Sequence, residues 1–164
     1  MKPDQPFILP LSVVSQVDVA RVMRELNALM DFFVSIKARP AGSSVQPPRL
    51  SRPLDQLAQA NRYNLLEEGQ RRELYDRLNL ILGKAPLIHI SFATEASPKA
   101  LEKILNWLRT NIHPQTLLQV GLQPTIAAGC VVRTPSRVFD LSLRPYLRDQ
   151  EPQLVALIAG AARQ

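Results

Sequence analysis

The first periodic signal along the chain is helical. From about Asp18 to Ile36, the apolar residues Val19, Val22, Met23, Leu26, Leu29, Met30 and Phe33 recur at helical spacing, while Arg21, Arg24, Glu25 and Asn27 take the other side. This predicts a helix with one buried face, capped by the Asp18 carboxylate. Met23, Met30 and Phe33 read as core packing at this spacing. Lys37 to Pro53 has four prolines and no apolar period, which predicts a linker or exposed loop, since proline fixes φ and lacks a donor. Pro53 is expected to open a short helix from Leu54 to about Arg62. A second helix is expected from about Leu66 to Leu82, with Leu74, Leu78, Ile81 and Leu82 on one side and Gly83 as a left-handed stop. Arg71, Arg72 and Arg77 interleave with Glu67, Glu68, Glu73 and Asp76, the pattern of a solvated, ion-paired face.

From Ala85 the period changes. Leu87 to Phe92 is dense in strand formers, Ser97-Pro98 signals a capped helix start, and Leu101, Ile104, Leu105, Leu108 and Ile112 form a helical stripe ending ahead of Pro114. Trp107 lies off the centre of that stripe, as a core-edge residue or an interface anchor. Leu118, Val120 and Leu122 alternate with Gln119 and Gly121 in a second strand. Ala127 to Arg133 and Arg137 to Leu141 form a hairpin around Thr134-Pro135-Ser136. Ser142 is expected to cap a last helical segment that Pro152 restarts, in which Leu154, Leu157, Ile158 and Ala161 form a narrow apolar stripe. That stripe is read first as closing the domain core and second as gripping a partner. The predicted fold is α+β: amino-terminal helices, then a small mixed sheet with a β-hairpin covered by helices. The expected organisation is an amino-terminal segment over 1–36, a linker over 37–53, a helical segment over 54–84 and an α+β domain over 85–164.

Charge and chemistry narrow the function. A net charge of +6 attracts an anionic partner, and motivates a basic nucleic-acid-binding adaptor as the alternative function. The arginines form no block, however, and aromatic residues make up only 5% of the chain, a poor supply for base stacking. The single cysteine, Cys130, sits among Ala127, Ala128, Val131 and Val132 and reads as a small core residue. His89 and His113 lack ligand-spaced companions, and His89-x-Ser91 has no orienting acid in its motif. The glycines never approach a phosphate-binding pattern. The amino terminus shows no secretory signal pattern and no apolar run reaches the ~20 residues of a membrane span. No catalytic residue, metal, cofactor or small-molecule substrate is expected, and the chain is read as an interaction module.

The stretch Gln123-Pro124-Thr125-Ile126-Ala127-Ala128-Gly129, the strand to Arg133, and Val138-Phe139-Asp140-Leu141-Ser142-Leu143 with Leu147 resemble the delta subunit of F-type ATP synthases, called the oligomycin-sensitivity-conferring protein in mitochondria. The resemblance covers about Ala85 to Leu147. Ala128 stands where the family has its first glycine, and residues 1–84 are short for the family's usual amino-terminal bundle. The motif residues Ala128, Gly129, Asp140, Ser142, Leu143 and Leu147 are expected to be structural. Ala128 and Gly129 would let the hairpin approach a covering helix, Asp140 would accept nearby amides, and Ser142 would cap the following helix. The resemblance implies a non-catalytic stator subunit bound to the b-type helices of the peripheral stalk and less surely to an alpha subunit of the catalytic head. Such a chain would lie on the cytoplasmic side of the membrane, held there only through the complex. Trp107, Leu154, Leu157 and Ile158 are the expected partner-facing residues.

Overall fold

The computed structural model describes residues 7–38, 46 and 48–161. It is an α+β fold with helices flanking a small mixed sheet. Five α-helices, α1 (Gln16–Lys37), α2 (Arg52–Asn61), α3 (Glu68–Lys84), α4 (Pro98–Asn111) and α5 (Arg144–Ala161), accompany strands β1 (Leu87–Phe92), β2 (Leu117–Leu122), β3 (Gly129–Arg133) and β4 (Val138–Ser142) among the described residues. The chain divides into two compact units. One holds the described residues up to Leu87 together with Leu101–Leu118, and the other holds Ile88–Ala100 and the described residues from Gln119 onward.

In the first unit α1 packs on α2 and α3, and Val19, Val22, Leu26, Leu54, Leu57, Leu74, Leu78 and Leu117 form the centre of its core. The helix starts and stops differ in detail from the expected ones. The cap of α1 is Ser15, whose Oγ accepts from the Asp18 amide at 3.3 Å while the Asp18 carboxylate accepts from the Ser15 amide at 2.9 Å. Asp18 is therefore the third residue of a reciprocal capping box rather than the cap itself. Ser51 caps α2, one residue before Arg52, and the Glu25 carboxylate of α1 accepts from both the amide and the hydroxyl of Ser51. The end of the expected linker is thus bound to α1, whereas residues 39–45 and 47 of it lie outside the described residues.

The left-handed stop belongs to α2, not to α3. Arg62 adopts φ 56°, and the Tyr63 amide donates to the Ala58 carbonyl at 2.9 Å, which closes a Schellman-type end. Gly83 stays helical, and α3 ends at Ala85 in extended geometry, because Pro86 disfavours a helical residue before it. Arg71 also departs from expectation. It is only 3% exposed, donates from Nη1 to the Leu65 carbonyl at 2.8 Å, and lies 4.2 Å from the centre of the Phe33 ring. One arginine of the supposed solvated face is a core residue.

The sheet order is β2-β1-β3-β4. The Pro86 carbonyl accepts from Leu117 at 2.9 Å and the Phe92 carbonyl accepts from Gln123 at 2.8 Å, so β1 and β2 advance together and run parallel, with α4 as their crossover. β1 pairs antiparallel with β3, and β3 with β4. β3 begins at Gly129 and β4 at Val138, inside the limits expected for the hairpin, because Pro124–Ile126 forms a 3-10 turn and Ala127 a tight reversal.

Candidate functional site

The hairpin and α5 hold the residues singled out by the sequence, and the backbone explains most of them. Ala127 takes φ 65° and ψ −58°, and the Ala128 amide donates to the Ile126 carbonyl at 2.9 Å. This is a γ-turn of the rare, strained hand. Gly129 follows at φ +92°, where a Cβ would come 2.5 Å from the Leu141 carbonyl oxygen. The close approach is therefore to the backbone of β4, not to a covering helix as expected. Ala128 serves the same corner through its carbonyl, which accepts from the Leu143 amide at 3.0 Å. Asp140 accepts from the Ser142 amide at 3.0 Å, and Ser142 Oγ accepts from the Arg144 amide at 3.3 Å at the start of α5. The Ser142 hydroxyl and amide hold the Asp140 carboxyl below its ordinary range, with a smaller contribution from Arg144. The Leu147 amide closes the first turn of α5 on the Leu143 carbonyl at 2.9 Å.

Sheet register collects apolar side chains on one face. Ile90, Val132 and Phe139 form one row across the strands, and Phe92, Cys130 and Leu141 the next. Gly121 faces His89 and Ser91, so Val120 and Leu122 lie on the apolar side with these rows. Ile90 is buried, but the edge strands are not covered: Leu122 and Leu141 are each 63% exposed, and Val120 and Phe139 are exposed beside them. Cys130 is half-buried rather than a core residue.

α5 departs furthest from its first reading. Leu147, Leu154, Leu157 and Ile158 are all exposed, so the stripe does not close the core of its unit. Trp107, on α4 in the other unit, is 59% exposed and is no core-edge residue. Around the first turn of α5, Asp140, Arg144, Pro145, Arg148 and Asp149 line an open cleft of about 360 Å³. Among the described residues, neither arginine is within ion-pair distance of either aspartate.

The opposite face of the sheet brings His89 Nε2 to 3.2 Å from Ser91 Oγ. His113 is separate and accepts at Nδ1 from the Gln115 amide. Among the described residues no three His, Cys, Asp or Glu side chains gather as a metal site would require, and no helix is long and apolar enough to cross a membrane.

Arg109 escaped the sequence reading altogether. Its guanidinium donates to the carbonyls of Leu9, Pro10, Val13 and Thr116 at 2.6 to 3.2 Å, which ties the segment before α1 to the end of α4. Burial pushes its pKa down to about 10, so it remains charged at neutral pH. Only an arginine within an otherwise apolar helical stripe hinted at this role.

No protein-family model matches this sequence, and no curated protein matches it.

Proposed function

We propose that this chain is a non-catalytic stator subunit of an F-type ATP synthase. It would link the peripheral stalk to the catalytic head, so that rotor torque is not lost as free rotation of the head. The observation that carries this reading is the exposure of Val120, Leu122, Phe139 and Leu141 on the apolar sheet face of the carboxyl-terminal unit. Large apolar side chains left open together mark a surface that another molecule covers. The hairpin corner supports the same reading, because Gly129, Asp140 and Ser142 carry the family-like pattern and each makes a structural contact. The partner surface is proposed to be the helices of the stalk. Membrane association then comes through the complex alone.

Co-purification tests the proposal. The tagged chain, at its natural level, is expected to emerge with the membrane ATP synthase in mild detergent. A double variant with Leu122→Asp and Leu141→Asp should keep its far-UV spectrum and lose the complex, because each change places a charge on an exposed position that only the partner would bury. A wild-type chain that never accompanies the synthase overturns the proposal.

A further inference from the structure

The spacing along α5 is more regular than an ordinary amphipathic helix requires. Leu143, Leu147, Gln150, Leu154, Leu157 and Ala161 alternate steps of four and three residues, the a/d seam of a heptad repeat. The two prolines fall seven residues apart, Pro145 in the first turn and Pro152 inside the helix, both at the f position, farthest from the seam. A proline at 152 leaves the Arg148 carbonyl without its helical donor, and at f that carbonyl faces water instead of a partner. A helix with an interior proline and, among its described residues, no buried side chain has little to hold it in isolation. The seam leucines lie exposed along its length.

We infer that α5 is one member of a two-helix coiled coil whose other helix belongs to a different protein. This rests on the docking role proposed above and commits it to a geometry. Charge selects the occupant. In a parallel pair of two copies, the flanking contacts would set Tyr146 against Glu151 and Gln153 against Ile158, with no attractive pair. In the antiparallel register of fullest overlap, Glu151 would meet Glu151 of the second copy, a repulsion, and a one-heptad slide that sets Arg144 against Glu151 leaves Leu157 without a facing seam residue. A lipid surface suits a polar face rich in lysine and arginine, whereas here Asp149 and Glu151 offset Arg144 and Arg148. The fitting partner is a heptad-patterned helix with a polar residue opposite Gln150, an acidic side chain facing Arg144 and a basic one facing Glu151.

The test uses the full chain in the cells that make it, with a photocrosslinking amino acid placed at one α5 position at a time. Crosslinks should be strong from 147, 154 and 157 and weak from 145, 148 and 152. The crosslinked peptides, read by mass spectrometry, should step along one heptad-patterned segment. Leu154→Asn with Leu157→Asn should cut the yield from 147 by on the order of tenfold or more, as expected for losing buried leucine contacts, while Ala156→Gln, on the exposed side away from the seam, leaves it unchanged. Crosslinks to a second copy, to lipid, or without periodicity overturn the inference. If the heptad helix belongs to a protein outside the ATP synthase, the seam stands and the stator reading falls. If the chain co-purifies with the synthase but α5 crosslinks without period, the seam falls and the stator reading stands.

Discussion

At Gly129 two constraints coincide. The residue needs φ +92°, and its Cα faces the Leu141 carbonyl so closely that a Cβ would lie 2.5 Å away. Gly129→Val should therefore destabilise the chain by about 2–4 kcal/mol, combining the strain of the left-handed region with overpacking against a backbone atom that has little freedom to move. Thermal unfolding followed by circular dichroism checks this, with Gly83→Ala as the control. Gly83 lies in α3 with nothing within 4 Å of its would-be Cβ, and alanine there should stabilise by roughly 0.5–1 kcal/mol. Asp140 supplies a prediction in pH. Its hydrogen bonds from Ser142 lower its folded pKa below the ordinary value of 3.8. The stabilisation is thus present above that value and is lost as pH falls through the lower folded one. Carboxyl-detected NMR titration should show Asp140 titrating below a reference aspartate, and Ser142→Ala should move it part of the way back.

Among the elements, the segment before α1 is held from α2, where Asn61 bonds both the amide and the carbonyl of Ile8 at 2.8 Å, and from the far end of α4 by one buried side chain. Arg109 satisfies carbonyls of Leu9, Pro10 and Val13, and the Leu118 amide donates to Val14 at 2.9 Å. Removing the guanidinium leaves several partly buried carbonyls to find water. Arg109→Ala should cost on the order of 3 kcal/mol in denaturant unfolding. Hydrogen exchange should rise first at the Val13 and Leu118 amides, and an unchanged exchange pattern would show that the segment is held without the Arg109 guanidinium. This role was barely legible in the sequence, since the acceptors are backbone atoms and those of Leu9, Pro10 and Val13 lie about a hundred residues away, with |i−j| from 96 to 100. The helical stripes of α1, α3 and α4 were legible, because local spacing alone sets which side of a helix is apolar.

On the scale of the whole molecule, the positive charge loses some of its force as an argument for nucleic acid. Arg71 and Arg109 belong to the interior of the first unit, one against Phe33 and one among backbone carbonyls. The apolar sheet face and α5 are the features left without a covering in the second unit, and they lead to the partner-based predictions made for the stator complex and the α5 seam.

Sequence alone determined the order and type of the elements. It also identified the apolar sides of the first helices, the strand-rich carboxyl half and the residues that turn the hairpin, all of which depend on neighbours a few positions apart. Tertiary structure decided which polar side chains are internal, as with Arg71 and Arg109, and which apolar ones stay open, as with Leu122, Leu141 and the α5 leucines. It also decided that Gly129 meets a strand and not a helix. Burial depends on what else arrives at a surface, and a spacing pattern marks an apolar side without specifying whether this chain or another molecule covers it.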